Sequence, residues 1–313
     1  MMLTNLALLA LAAAPADSLG AEWQAPSIFV AGGGYVVSLT LRVGEDGAEL
    51  PVWALTPAAF SVGGNALGER GAGVLPLAGG TELDVRIDIG AQLAALGEGL
   101  GDGFQITWDG MGETEATSVD VWNGVGPGLD FMSMEPDQLD DYWVVMVTNR
   151  GTMVMEFWPD VAPATVRNFL DLCYTGFYEG LTFHRVIPNF MIQGGDPSGT
   201  GSGSGPRKLQ AEFSDRKHVP GVLSMARLGH DVNSATSQFF VMHAAYPSLD
   251  GQYTAFGKLV SGLDVVDRIV KSPRNARDKP NQPQVIEKTF VVKARAKAPE
   301  TNGTTPETTG GGE

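Results

Sequence analysis

FHRVIPNFMIQGGD, at residues 183–196, is the stretch around which the second half of the chain is organised. In a strand of period two, Phe183 and Arg185 share one face, and after a proline-asparagine break a second strand carries Phe190 and Met191 to opposite faces. The stretch sets one cation beside an apolar surface and an amide, and it offers no nucleophile or titrating base. This pattern suits a reaction that needs an apolar socket and a hydrogen-bond donor, with no proton transferred.

Three further motifs follow in the chain: GVLSMAR at 221–227, SQFFVMHA at 237–244 and LDGQYTAFGKLVSGLDVVDRI at 249–269. Together with the first stretch they resemble the signature of the cyclophilin family of peptidyl-prolyl cis/trans isomerases, over residues 142–294. The resemblance implies a closed eight-stranded antiparallel β-barrel capped by two helices. The helical pattern of APATVRNFLDLCYTG at 162–176 predicts the first helix, and LDVVDRIV at 263–270 would be the second. Asn149-Arg150-Gly151 predicts a hairpin turn between two strands. It also implies an isomerase, or rotamase, that needs no cofactor. Its substrates would be proline-containing polypeptides, unfolded or flexible, whose X-Pro bonds it isomerises to assist protein folding.

The chemistry of the X-Pro bond explains why an arginine is needed. Isomerisation is slow because amide resonance must be broken, at a barrier of about 18–20 kcal/mol. In the twisted transition state the proline nitrogen regains a lone pair, and a donor aimed at it binds that state better than either ground state. Arg185 is the candidate donor, since it is charged at any working pH.

The resemblance assigns the other roles residue by residue. It implies a catalytic set of Arg185, Phe190 and Gln193, and a substrate-binding set of Met191, Ala226, Arg227, Gln238, Phe240, Leu249 and Tyr253. Ala226 and the main chain of Arg227 are expected to pair with an extended peptide as an added strand would. His184 matches the family's histidine beside the arginine and is expected to give structural support.

Two departures from the best-known eukaryotic members affect these expectations. Ser248 stands where they carry a tryptophan, which predicts weak binding of the cyclic peptide cyclosporin. Tyr253 replaces a histidine at the pocket rim, a change familiar among bacterial-type members, and activity is expected to survive it.

Residues 22–125 show a different pattern, in which period-2 strands are separated by glycine-rich turns. Apolar residues alternate with polar ones through 35–43, 83–89 and 104–108, as they do in antiparallel sheets with one buried face. We therefore predict an antiparallel β-sandwich over 22–125, joined to the barrel by a Gly-, Pro- and acid-rich linker at 126–141. The predicted fold class is mostly β.

The two halves carry different charges. Between Asp17 and Asp141 there are 20 acidic residues and three arginines, a net charge of −17, whereas the remainder carries about +2. This imbalance argues against nucleic-acid binding by the first half. It serves either solubility or an unknown basic protein partner of the N-terminal domain.

Both termini look like segments outside the folded domains. Residues 1–16 contain a short apolar run ending in Ala-Pro-Ala, which predicts a cleaved signal peptide and export to a periplasm or the outside. A cytoplasmic location is the alternative, since no Lys or Arg precedes the run. The run is too short for stable membrane insertion. The tail at 295–313 has no apolar cluster to bury and is predicted to be disordered.

The remaining reactive residue types suggest no further chemistry. Cys173 is the sole cysteine and sits in a helical pattern, so we expect a buried structural thiol. The four histidines show no close ligand spacing, and no metal site is predicted. The alternative to an enzyme is a cyclophilin-like peptide-binding module with little turnover, whose partner is recognised by the acidic domain.

Overall fold

A computed structural model describes residues 19–26, 28–31, 33–110 and 116–294 of the 313-residue chain. The predicted signal peptide at 1–16 and the predicted disordered tail at 295–313 lie outside the described residues. No helix in the described part of the chain is long and apolar enough to cross a membrane.

The described residues of the first half form ten strands and one α-helix. They are β1 (Leu19–Gln24), β2 (Ile28–Ala31), β3 (Val36–Val43), β4 (Ala48–Pro51), β5 (Phe60–Val62), β6 (Asn65–Ala66), β7 (Val74–Leu77), β8 (Glu82–Asp88), α1 (Gly90–Leu96), β9 (Gly103–Trp108) and β10 (Thr117–Asn123). The second half contains α2 (Pro136–Leu139), β11 (Tyr142–Thr148), β12 (Gly151–Phe157), α3 (Pro163–Tyr174), β13 (Arg185–Ile187), β14 (Met191–Gly194), β15 (Val222–Met225), β16 (Phe239–Met242), β17 (Ala255–Ser261), α4 (Leu263–Val270) and β18 (Ile286–Lys293).

The N-terminal unit is the predicted sandwich. A three-stranded sheet in the order β1-β3-β8 faces a five-stranded sheet in the order β2-β10-β9-β5-β6, and both contribute side chains to one core. The alternation along β3 explains why the sheets share one core, because Leu39 and Leu41 are fully buried while Arg42 is exposed. One pair departs from the predicted antiparallel pattern, since β10 runs parallel to β2. The short helix α1 was not predicted.

The second unit is a curled antiparallel sheet of eight strands in the order β13-β14-β16-β15-β17-β12-β11-β18. Its two ends are joined by backbone hydrogen bonds between residues 180–183, which precede β13, and residues 284–286, where β18 begins. Gly180 N donates to Ile286 O, Ile286 N to Leu181 O and Phe183 N to Gln284 O, each at 2.8 Å. Helices α3 and α4 pack against its core and coincide with the two predicted helices. The Asn149-Arg150 turn joins β11 to β12 as the predicted hairpin.

The barrel strands carry apolar side chains on both faces. Inward residues such as Ile192, Phe239 and Val241 form the barrel core with the helices. Outward residues form two separate clusters. One lies on β14, β16 and β15 and includes Met191 and Phe240; the other lies on β11, β12 and β18.

The second outward cluster is covered by the sandwich. Trp122 of β10 is 6% exposed and its ring centroid lies 5.6 Å from that of Trp143 on β11. Arg86 of β8 forms a two-bond ion pair with Glu287 of β18, at 3.0 and 3.1 Å. In a ring of eight strands, β11 and β16 are four places apart in either direction. The sandwich therefore packs on the side of the barrel opposite the first outward cluster.

The segment predicted as a linker, 126–141, packs closely against the barrel. Phe131 and Leu139 are fully buried in the barrel core, and Arg167 Nε of α3 donates to Met134 O at 2.7 Å. Asp130 accepts hydrogen bonds from Met132 N and Ser133 Oγ and holds a short turn. The segment that connects the two units is thus packed against the barrel at these residues. The exact domain boundaries stay a prediction.

Candidate active site

The hairpin β13–β14 places the candidate arginine. Arg185 pairs with Gln193 across the two strands, and Ile187 pairs with Met191. Asn189 adopts a left-handed conformation with φ 59° in the connecting turn, a conformation that asparagine tolerates better than most residues. Directly opposed residues share a face, so the guanidinium and the glutamine amide lie on the outer face of the barrel.

Two details of the predicted face assignment were wrong. The strand begins at Arg185, so the alternation does not extend back to Phe183, which is buried inside the barrel. Phe190 precedes β14 in the turn, and it packs with Met191 in the same outward cluster instead of lying on the opposite face. The proline-asparagine break uncouples Phe190 from the period of the strand.

Arg185 is held at one end of its guanidinium. Its Nη1 donates to Gln193 Oε1 at 3.3 Å, and Gln193 Nε2 donates to Gln238 Oε1 at 3.0 Å. Among the described residues no other hydrogen bond takes up the guanidinium. Its remaining N–H donors are therefore open to a ligand on the outer face.

The apolar socket beside the arginine is formed by the first outward cluster. Met191, Phe240 and Leu249 are 1, 5 and 8% exposed, and the half-buried Phe190 and Tyr253 pack at their edge. The rings of Phe240 and Tyr253 meet edge to face at 6.0 Å. The structure thus brings together the predicted socket residues as one surface.

A buried polar network lies behind Phe240. The ring of His218 stacks on that of Phe240 at 6.2 Å, and it lies 3.1 Å from Asp250 Oδ1 and 3.0 Å from Ser224 Oγ. Burial lowers the pKa of His218, although Asp250 opposes the shift. The Ser224 hydroxyl itself donates to Thr254 O at 3.0 Å, so the network also reaches the backbone just ahead of β17. The network fixes the floor of the socket.

We call the open outer surface between the socket and Arg185 the groove. Ala226 and Arg227, which follow β15, form its other wall. Ala226 N donates to Gln238 O at 2.9 Å, so this amide is already used inside the sheet. The Arg227 side chain folds back, with its guanidinium 4.5 Å from the Tyr253 ring centroid and hydrogen bonds to Gln252 O and Leu228 O. It supports Tyr253 at the pocket rim, a contact that the sequence did not predict.

His184 lies beneath the site, buried to 6% exposure. Burial lowers its pKa, although Asp196 and the Thr182 backbone oppose the shift. A glycine-rich loop passes close to its ring, since a Cβ built on Gly201 would lie 3.8 Å from it. Cys173 is buried at 1% exposure, as predicted, and burial raises its pKa. The described residues hold no group of three His, Cys, Asp or Glu side chains that could bind a metal ion.

Tyr246 is the site residue that sequence reasoning missed. Its ring packs against that of Phe190 with centroids 4.5 Å apart and a tilt of 42°, and it remains 43% exposed. It lies two residues before Ser248, the position at which the best-known eukaryotic members carry a tryptophan. An aromatic side chain therefore still lines this edge of the socket, but it comes from a neighbouring position that belongs to none of the recognised motifs.

Comparisons with known proteins agree with this geometry. The family model for cyclophilin type peptidyl-prolyl cis-trans isomerases matches residues 143–291. A peptidyl-prolyl cis-trans isomerase of Synechococcus elongatus is 47% identical over 131 residues, which are 42% of this chain and 88% of that protein. The isomerase ppi1 of Schizosaccharomyces pombe is 43% identical over 155 residues, 48% of this chain and 98% of its own.

The chain belongs to the cyclophilin family. A solved Cryptosporidium parvum cyclophilin covers 49% of this chain and 98% of its own, at 33% identity and a TM-score of 0.47. Because the present chain belongs to this family, it is a peptidyl-prolyl cis-trans isomerase that accelerates X-Pro isomerisation in flexible polypeptides and assists folding.

Proposed function

We propose that this cyclophilin catalyses isomerisation with one preorganised donor beside an apolar socket. Arg185 donates to the proline nitrogen as it becomes pyramidal, and no group in the site needs to gain or lose a proton. The observation that carries this proposal is the guanidinium of Arg185, which uses one of its five N–H donors on Gln193 and keeps the others for a ligand. The ring of the substrate proline would rest on Phe190, Met191, Phe240 and Leu249.

The remaining predicted residues would hold the peptide backbone. Gln193 and Gln238 orient the arginine and offer amide groups to the substrate. Because Ala226 N is already bonded inside the sheet, the peptide would pair with the Ala226 carbonyl and the Arg227 main chain. Tyr253, supported by the Arg227 side chain, would close the rim of the pocket.

The test is isomerisation of a short X-Pro peptide by the wild type, Arg185→Ala and Arg185→Lys. Loss of one preorganised donor typically lowers kcat by about 10²–10³-fold, and we expect Arg185→Ala to do so. Lysine keeps the charge but loses the planar fork, so Arg185→Lys should fall between the two. Arg167→Ala is the matched control, since that arginine bonds the backbone of the 126–141 segment.

The alternative is a cyclophilin-like peptide-binding module with little turnover. It predicts that a folded wild type binds the X-Pro peptide and leaves its isomerisation rate unchanged. In that case Arg185→Ala would weaken binding or do nothing, and the catalytic role of the arginine would be refuted.

For the sandwich we propose recognition of a basic protein partner. Glu82 and Asp84 are exposed on the face of β8 that also carries Arg86, and Glu82 pairs with Arg42 at 3.3 Å. The sandwich packs opposite the socket, so a bound partner would leave the groove open. Titration with a lysine-rich peptide should show salt-sensitive binding that Glu82→Lys with Asp84→Lys abolishes. Equal behaviour of wild type and variant would leave solubility as the role of the charge.

The finer predictions from the sequence are also proposals: a bacterial-type, exported enzyme with weak cyclosporin binding. Mass spectrometry of the mature chain would decide export, which predicts a terminus near Asp17 and excludes Met1. Ser248→Trp should strengthen cyclosporin inhibition if the missing indole causes weak binding. Limited proteolysis would test the domain boundaries at 22–125 and 142–294.

A further inference from the structure

The glycine-rich loop at 196–205, DPSGTGSGSG, has no part in the site described so far. It lies beside the outer groove and ends at Gly205, whose N donates to Thr236 Oγ1 at 3.0 Å. The sequence gives it no strand-to-helix context and no phosphate-loop lysine. Its hydrogen bonds nevertheless connect it to the candidate arginine.

Asp196 determines the shape of this loop. The residue is 1% exposed, and its Oδ1 accepts from Ser198 N at 2.7 Å and Ser198 Oγ at 2.8 Å. Its Oδ2 accepts from Thr200 N at 3.0 Å and Gly201 N at 2.5 Å. Burial alone would raise the pKa of Asp196, but these hydrogen bonds outweigh burial and lower it to about 2. The carboxylate is therefore charged at every working pH and gathers the loop backbone around itself.

Two carbonyls of the same loop hold Gln238. Its Nε2 donates to Gly201 O at 3.1 Å and to Gly203 O at 2.8 Å. Because both acceptors are backbone oxygens, they fix which end of the amide faces the loop. The Oε1 atom of Gln238 must then face Gln193.

The orientation of the Gln238 amide determines the direction of the hydrogen bonds from Gln238 to Gln193 and from Gln193 to Arg185. Gln238 Oε1 can only accept, so Gln193 turns its Nε2 toward it at 3.0 Å and presents Oε1 to Arg185. If the loop carbonyls moved away, either amide could rotate, and Gln193 would present N–H groups to a cation that cannot accept them. The loop thus sets the polarity of the chain of amides that holds the guanidinium.

We propose that Asp196 is a positioning residue for catalysis: it fixes the loop carbonyls that orient Gln238 and Gln193 and thereby aim Arg185 at the proline nitrogen. The proposal rests on the catalytic role of Arg185 stated above. Asp196 touches neither substrate nor socket, so its effect should appear more strongly in kcat than in peptide affinity, which it can change only through the amides of Gln193 and Gln238.

Two variants disturb the carboxylate from different sides. Asp196→Asn removes the charge and places an amide donor among the backbone donors. Gly203→Ala keeps the charge but sets a Cβ 1.9 Å from Asp196 Oδ1. The matched control is Asp130→Asn, a turn carboxylate that also accepts from a backbone N–H and a serine hydroxyl, on the 126–141 segment.

A misplaced catalytic group can cost as much as about 100-fold in rate per ångström, so partial release of the loop should lower kcat by roughly ten-fold or more. We expect this loss in both loop variants, with a smaller change in the dissociation constant of the X-Pro peptide, as for loss of an interaction made mainly in the transition state. ¹⁵N spectra should show broadened or shifted guanidinium resonances of Arg185. The Asp130→Asn control should change none of these readouts.

Four outcomes separate the possibilities. Loss of kcat together with altered Arg185 resonances supports the proposal. Unchanged kcat in folded Asp196→Asn overturns it, and so does a loss of kcat with the Arg185 resonances unaltered. If Arg185→Ala itself retains full activity, the proposed function fails first, and the positioning role fails with it.

Discussion

Replacing Trp122 by alanine should loosen the sandwich from the barrel and leave isomerase activity intact. Trp122 is 6% exposed and lies against Trp143, Val145 and Val154 of the barrel. Its strand neighbour Val121 points into the sandwich core instead. Truncating a buried tryptophan typically costs about 3–5 kcal/mol, and here most of that loss falls on contacts between the two units.

The assay is urea denaturation followed by two readouts, isomerase activity for the barrel and hydrogen exchange of sandwich peptides. With a urea dependence of about 1–3 kcal/mol per molar, a loss of that size should lower the sandwich midpoint by at least about 1 M. Activity should persist at urea concentrations where the sandwich already exchanges. Trp53→Ala is the control, because the Trp53 ring packs against Arg70 and the sandwich core, away from the barrel.

Two results would refute this reasoning. A sandwich midpoint that does not move would mean that the two units are not held together by the tryptophan contact. A change in kcat/KM of the folded variant would contradict the position of the site, since β16 lies four strands away from β11.

Two further predictions concern the site. Tyr246→Ala should raise KM by roughly three- to ten-fold, because aromatic pairs contribute about 0.5–1.5 kcal/mol beyond area burial, while Tyr246→Phe should match the wild type; equal KM values for all three would exclude the tyrosine from the socket. Stability should decrease as the pH falls below 6.5, since burial lowers the pKa of His184 and His218 from that value and the unfolded chain then binds protons that the folded chain does not. Urea midpoints between pH 5 and 8 would test this, and a rise toward acid would contradict it.

The elements with strong local patterns were predictable from the sequence. Helix α4 coincides with the predicted LDVVDRIV, because its buried valines and isoleucine recur at helical spacing. Strand β3 follows the predicted alternation because its apolar residues recur at every second position. The predicted site residues also converge on one face, because the motif order fixes which strands are neighbours.

What the sequence did not predict depends on contacts between distant residues. Tyr246 faces Phe190 across 56 positions of sequence, and no local pattern marks that pair. The parallel pairing of β2 with β10 joins strands from opposite ends of the sandwich. Phe183 was assigned to the wrong face because the strand begins later than its apolar pattern suggests.

The outward-facing residues of the barrel strands explain both the surface that the sandwich covers and the surface that would bind substrate. A closed barrel needs apolar residues only on its inner face, yet β11 and β16 read YWVVMVT and FFVM, apolar on both faces. Outward apolar residues are stable only where something shields them from water. On β11 that cover is Trp122 and the sandwich, and on β16 it is partly supplied by Tyr253 and the neighbouring socket residues. The open remainder beside Arg185 is where a proline ring would bury its own apolar surface, so the same departure from simple alternation marks the docking face and the catalytic face.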